Sequence, residues 1–380
     1  MQSFRSKALE GRLAFYAKIL ARALPHLILI FILACIAIAF FDIARRFQEA
    51  PFDGVFQTLY ALRKIDAGEL PGRDFFYFHG NGIPYLLYPL YKLFEVFTGH
   101  ELLASLLATF FMNLIFLYAP IYVIFYRFFS ASIASYALVL ISFANEFIFF
   151  LGFYNSPLFI GAPMGIRMSP HLLTLMLLAC WSGNSKSLSR GKYILLGLLL
   201  GIGPLLGAEQ GVYAIGGSTI AVFFSAARPA ARFTNATLVI VSALTSLILA
   251  QLLLFGSLDT LRAIKVISDN QVWVYGVPPN TYIERFSDFF HPSKLVGVPS
   301  QITTISATAA VALLILARTE NRNMVTGVIA IYFGGLLSWA SNLGYVGQHQ
   351  SAIFMKLILI VAAFFLFSNL RQDKEKVHAA

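Results

Sequence analysis

Apolar runs, several of them short for a span, recur along this 380-residue chain and constrain its fold more than any other feature. The first covers Pro25 to Phe41. Others lie at about 101–126, 131–152, 169–182, 193–207, 211–226, 235–256, 300–317, 324–341 and 351–368. A helix of about 20 apolar residues spans the hydrocarbon core. Hydrophobic residues make up 58% of the chain and charged residues 12%, against about 25% charged in soluble domains. So few charges cannot cover a water-facing surface, and lipid is the expected solvent. The expected fold is all-α: a polytopic transmembrane helical bundle of about ten spans. No internal repeat or low-complexity tract is visible.

The formal charge of +10 would suggest nucleic acid in a soluble protein. Here it has a simpler source, since Lys and Arg collect in cytoplasmic loops. With the N-terminus inside, the tight cytoplasmic turns are Arg127, "NSKSLSRGK", "RPAAR", "RTENR" and the tail "RQDKEK", and every one is basic. No nucleic-acid partner is expected; the bilayer is. Residues 1–24 alternate Arg5, Lys7, Arg12, Lys18 and Arg22 with apolar residues, as a cytoplasmic amphipathic helix would. Residues 25–368 form the transmembrane module and 369–380 a cytoplasmic tail. The first run lacks a small-residue cleavage site and reads as a signal anchor. Cys35 and Cys180 sit in apolar runs, which argues against a disulfide framework or a metal cluster. Asn235 has the only Asn-x-Ser/Thr pattern and falls at a cytoplasmic span start, which fits a bacterial inner membrane and leaves an endoplasmic reticulum enzyme open.

Two long segments face the other side, 42–100 and 257–299. In the first, "VFQTLYALRKI" puts Val55, Leu59 and Leu62 on one helix face, and Gly68, Pro71 and Gly72 end the pattern. "IPYLLYPLYKLFEVF" then spaces Tyr85, Tyr88 and Tyr91 three apart along a second helix. Two interfacial helices joined by a polar turn are expected to cap the spans from outside.

The same loop carries "APFDGVFQTLYALRKIDAGELPGRDFFYFHG" followed by "IPYLLYPLYKLF". An Asp near the start of the first exoplasmic loop, then a helix, then G-x-L-P-x-R-D-F and H-G-x-x-x-P-Y-L-L-Y-P-L-Y-K-L-F, resembles the GT-C glycosyltransferases. The nearest likeness is to the branch of protein O-mannosyltransferases and of the aminoarabinose transferases that modify lipid A. It covers roughly residues 42–97. "GLLLGIGPLLGAEQGVYA" resembles a further family motif, G-L-x-x-G-L-x-x-L-x-K-x-E-x-G, with Glu209 and Gly211 in place and Ala208 where a Lys is usual. The resemblance implies a polytopic enzyme that takes a sugar from a polyprenyl-phosphate donor and uses Asp53 as its catalytic carboxylate. Gly54 stands where the family usually has a second acid, which argues against two acids acting together. The soluble exoplasmic domain of many relatives is not expected here.

Sugar transfer from a lipid phosphate needs a carboxylate base, cations for the departing phosphate and an apolar groove for the tail. Asp53 is the candidate base; it is also well placed as a helix N-cap. Arg73, Arg167, Lys92, Arg262 and Lys265 are candidate phosphate partners. Asp74, His79, Glu209, Trp273, Tyr275 and His349 are candidates for the acceptor or sugar. Tyr85, Tyr88 and Tyr91 either line a lipid groove or form an aromatic belt. Asp74 beside Arg73 reads equally as an ion pair fixing a turn, and His79 between loop residues as a hydrogen bonder. Trp273 and Tyr275 stack on a sugar or anchor the loop in headgroups. Glu146 and Glu209 lie close to membrane depth, where an acid is costly. No cofactor is fixed by the sequence; a divalent cation, Mg or Mn, is the one the chemistry leaves room for.

The expected function is transfer of a sugar from a polyprenyl-phosphate donor to a lipid, glycan or protein acceptor on the exoplasmic face. The rival is a transporter or lipid flippase, with Glu209 at a broken-helix site between a pair of short spans interrupted by Gly203, Pro204 and Gly207. A non-catalytic GT-C-like subunit is the third reading. No P-loop, Rossmann fingerprint or G-x-S-x-G elbow is present, so nucleotide hydrolysis and serine hydrolysis are poor fits.

Overall fold

The computed structural model describes residues 19–20, 22–38, 55–77, 79–150, 163–181, 188–225, 228–258, 322–341, 360–364 and 366–368. These residues are helical with short turns, and no strand occurs among them. The helices are α1 (Arg22–Ile38), α2 (Val55–Asp66), α3 (Gly82–Thr98), α4 (Glu101–Phe128) and α5 (Ala131–Phe150). After them come α6 (Met164–Cys180), α7 (Arg190–Leu206), α8 (Ala208–Ser225), α9 (Pro229–Phe255) and α10 (Arg322–Ser341). The helical residues 360–364 and 366–368 form α11. The expected span at 300–317 lies outside the described residues.

Two of these helices, α4 with 28 residues and α9 with 27, are long and apolar enough to cross a membrane. At 1.5 Å per residue, α4 is roughly 42 Å long, against a hydrocarbon core of about 30 Å. Its first turns have another task. Ala104 and Ala108 pack with Leu59 and Leu62 of α2, Leu87 and Tyr91 of α3, and Ile166 of α6. The small alanines let α2 and α3 lie close against α4.

Side-chain pairings set the helix directions. Ser135 Oγ lies 2.7 Å from His26 Nδ1, so α1 and α5 start at the same end. Phe125 and Phe129 near the end of α4 pack on Phe364 of α11. Tyr193 at the start of α7 and Val222 near the end of α8 share a cluster with Leu178 at the end of α6. Therefore α7 and α8 form an antiparallel hairpin that turns at Gly207. The reversal falls between the two short spans expected at 193–207 and 211–226, where Gly203, Pro204 and Gly207 cluster. Arg22, Arg127, Arg190, Lys192, Arg228 and Arg232 consequently belong to one end of the bundle. The α7–α8 turn and the start of α6 belong to the other.

Three buried clusters hold these elements. The largest joins α1, α4, α5, α6, α10 and α11 around Phe110, Phe125, Ile121 and Leu175. The second binds the loop helices to α4 and α6. The third joins α6, α7, α8 and α9. Within it α7 meets α9 through Gly197 and Gly201: a methyl at either would strike the α9 backbone at Val239 or Ala243. Small residues four apart permit such close approach in lipid, where dispersion rather than water drives association.

Candidate functional site

The start of α6 is built by a residue on another helix. Pro163 precedes α6 and gives it no side-chain cap. Asn113 of α4, itself fully buried, accepts hydrogen bonds from the amides of Gly165 at 2.8 Å and Ile166 at 3.3 Å. First-turn amides have no partner within their own helix, so in apolar surroundings a carbonyl from elsewhere must supply one. Gly165 fits there because a methyl would stand 2.6 Å from the Asn113 carbonyl oxygen. Asn113 thereby fixes the turn that carries Arg167.

Arg167 is 8% exposed. Its Nη2 donates to Glu209 Oε2 at 3.0 Å, and its Nη1 stands 3.3 Å from His79 Nδ1. A guanidinium only donates, so Nδ1 is the acceptor and the ring proton belongs on Nε2. His79 is also buried, and its backbone oxygen accepts from the amide of Ala208 at 3.0 Å, capping α8. One loop residue is thus bonded to the starts of two helices. Glu209 lies in the first turn of α8, where a carboxylate also suits the positive end of the helix dipole. Three sequence candidates distant along the chain, His79, Arg167 and Glu209, meet here.

The loop is pressed onto this corner. Gly80 has φ +140°, and a methyl there would lie 2.6 Å from the Leu205 carbonyl oxygen. The amide of Tyr77 donates to Asn81 Oδ1 at 2.7 Å, and the Tyr77 and Thr58 hydroxyls are 3.0 Å apart. Burial pushes the Tyr77 phenol up, which keeps it neutral. One turn deeper, His171 Nε2 stands 3.2 Å from Gln210 Oε1, both side chains buried. Arg167 and His171 are four apart on α6, and Glu209 and Gln210 adjoin on α8, so two polar rungs join these helices.

An apolar cleft of about 260 Å³ lies between α6 and α7, its α6 wall starting at Pro170, one turn after Arg167. Pro170, Thr174 and Leu177 form one wall; Leu199, Gly203 and Leu206 form the other.

The remaining candidates are placed elsewhere. Arg73 and Asp74 bond each other at 2.8 Å on the exposed turn, and Asp74 also accepts from the amide of Leu70. The Arg73 bond, then the Leu70 amide, hold the Asp74 carboxyl below its ordinary range. The pair fixes the turn and does not join the buried group. Lys92 reaches Glu95 at 2.5 Å and Asp66 at 3.1 Å on the outer surface of α2 and α3, and these bonds raise its pKa. Within the tyrosine stripe Tyr91 faces the core, and Tyr85 and Tyr88 are half-buried. Tyr88 donates to Asp66 at 2.7 Å, Tyr85 to the Pro71 carbonyl at 3.3 Å, and Tyr91 is fully buried with its pKa pushed up to about 12 by burial. Tyr91 therefore offers no surface to a lipid. Asp53, Arg262, Lys265, Trp273, Tyr275 and His349 lie outside the described residues, as does the side chain of Glu146. Among the described residues no three His, Cys, Asp or Glu side chains gather as metal ligands would.

Asn113, His171 and Gln210 were not singled out from sequence. Asn113 had a readable signal, as a lone amide in an apolar run, where an unmet polar group is costly. No protein-family model, curated protein or solved structure matches this chain.

Proposed function

We propose that the chain is an integral-membrane glycosyltransferase of the GT-C type, with about ten spans and both ends in the cytoplasm of a bacterial inner membrane. It moves a sugar from a polyprenyl-phosphate donor to a lipid, glycan or protein acceptor on the exoplasmic face. The observation that carries this reading is the buried Arg167, held by His79 and Glu209, one turn above an apolar cleft. A lipid phosphate needs both features in that order: a cation for the head and an apolar trench for the chain. The level of the site agrees. The α7 helix runs from the basic end to the turn beside Glu209 in 17 residues, roughly 25 Å, and the hydrocarbon core is about 30 Å thick. The head group then lies close to the outer surface of the core, beneath the first loop.

In this reading Asp53, on the same loop, takes the proton of the acceptor hydroxyl. The acceptor oxygen attacks the anomeric carbon as the bond from that carbon to the phosphate oxygen breaks. Polyprenyl phosphate leaves, and Arg167 stabilises the charge it gains. The transporter reading has less support, because transporters usually show matched halves and no internal repeat is visible in this sequence.

Asp53→Asn is expected to abolish sugar transfer in membranes while expression and elution profile stay unchanged. Undiminished transfer would remove Asp53 as the base. For a transporter, Glu209→Gln would stop substrate flux, and no acceptor would gain a sugar.

A further inference from the structure

Arg167 is anchored on one side by His79 and on the other by Glu209, and the two acceptors are not equally fixed. His79 is tied down twice, by its ring and by its backbone oxygen on Ala208. Glu209 is the more exposed member of the ion pair, at 16% against 9% for Arg167. It stands beside Gly207, whose extended backbone turns the chain from α7 into α8.

The cleft is lined from Pro170 and Leu206 onward, three residues from Arg167 and from Glu209. Arg167, Pro170, Thr174 and Leu177 follow one stripe of α6, at the three- and four-residue spacing that aligns side chains. On α7, Leu199, Gly203 and Leu206 follow the facing stripe and lead into the Glu209 turn. From Pro170 to Leu177 the trench runs about 10 Å. Leu199 and Ile202 at its rim are 39% and 41% exposed, so it opens sideways along the bundle. A trench of this kind ending one helical turn from a buried guanidinium fits a single-headed anionic amphiphile.

A buried Arg167 needs a counter-charge, since an uncompensated buried ion is strongly destabilising. Glu209 supplies one negative charge. A phosphate monoester brings up to two and three acceptor oxygens. We propose that Glu209 is an exchangeable internal counter-ion: a prenyl monophosphate lays its chain between α6 and α7, and its phosphate displaces the Glu209 carboxylate from Arg167. The ligand class rests on the proposed function; the exchange itself does not depend on transfer chemistry. Glu209 thereby weakens binding, because the ligand must break an existing charge pair before making its own. The same device guards the cation against anions that lack a chain for the cleft.

The test uses the full chain purified in detergent and titrated with farnesyl monophosphate. Glu209→Gln removes the competitor and is expected to tighten binding about tenfold, the effect of one charge-assisted hydrogen bond. Glu209→Asp keeps the charge but shortens its reach, and it is expected to tighten binding in the same direction. Arg167→Gln is expected to weaken binding by tenfold or more, and Thr174→Phe, which fills the cleft, to weaken it with the head group intact. Farnesol and inorganic phosphate, each lacking one half of the ligand, are expected to compete poorly. Binding that is unchanged or weaker in both Glu209 variants overturns the exchange, as does farnesol binding as tightly as its phosphate. Tighter binding in the Glu209 variants without any sugar transfer by the wild type leaves the exchange standing and removes the transferase. Asp53-dependent transfer with binding indifferent to Glu209 does the reverse.

Discussion

Gly80→Ala tests how the first loop is held over the site. Gly80 has φ +140°, and its new methyl would stand 2.6 Å from the Leu205 carbonyl oxygen and 3.0 Å from the Gly207 nitrogen. Both are backbone atoms and cannot rotate away. The conformation alone costs an alanine about 1–2 kcal/mol. Relief of the clash lifts the loop. That loses the bond from the Ala208 amide to His79 O, about 1 kcal/mol, and the contact from Arg167 to His79, about 1.5–3 kcal/mol. The lost bonds together weaken the docked state by roughly 3 kcal/mol. Gly68→Ala is the control: it too has positive φ, at +84°, but nothing lies within 4 Å of the added methyl. The assay is hydrogen exchange by mass spectrometry in nanodiscs, following peptides that contain residues 79–83 and 208–211. Gly80→Ala is expected to lower protection there by about a hundredfold or more, and Gly68→Ala by less than about tenfold. Equal protection in the two variants would refute the claim that the loop is locked against the α7–α8 turn.

Three further outcomes follow from the same geometry. Asn113→Ala leaves the amides of Gly165 and Ile166 without their acceptor and is expected to cost about 1–3 kcal/mol for each donor left unmet. Thr109→Ala, which removes a bond made within its own helix, is expected to lower the melting temperature far less. Arg167→Met alone strands Glu209 and is expected to destabilise the chain by about 3 kcal/mol, whereas the double change Arg167→Met with Glu209→Met is expected to cost less; a double-mutant cycle in thermal unfolding reads the difference. The Asp74 carboxyl has a lower pKa folded than unfolded, so it stabilises the turn above the ordinary carboxylate range and loses that effect as pH falls through the folded value. Amide exchange at 70–74, corrected for its intrinsic pH dependence, is expected to accelerate only in acid, and Asp74→Asn to remove that step.

Helix positions were legible because apolar length is a strong local signal. The expected span at 101–126 is Glu101–Phe128, and that at 193–207 is Arg190–Leu206. The errors fall at polar helix ends. The run at 169–182 is Met164–Cys180, which brings Arg167 into the first turn of a helix. A hydropathy window stops at such residues although the backbone does not. Each member of the buried group was visible singly, as a polar residue in unusual company. Their meeting was not, since His79 and Arg167 are 88 residues apart and Arg167 and Glu209 are 42 apart. That contact depends on how α6 and α8 cross, which no local pattern encodes. Asn113 went unread for the same reason: its partners are amides 52 and 53 residues away. The tyrosine stripe misled in part. Three aromatics on one helix face serve a lipid groove or a protein core equally well, and the small Ala104 and Ala108 on α4 drew Tyr91 inward.

The most direct measurement is photo-crosslinking of a photoreactive polyprenyl-phosphate sugar to the chain in native membranes, with the modified peptides mapped by mass spectrometry. Adducts are expected on the cleft walls, residues 163–177 and 199–209, and on the first loop beside Asp53. Adducts confined to the basic end of the bundle, around Arg127, Arg190 and Arg228, would contradict the account.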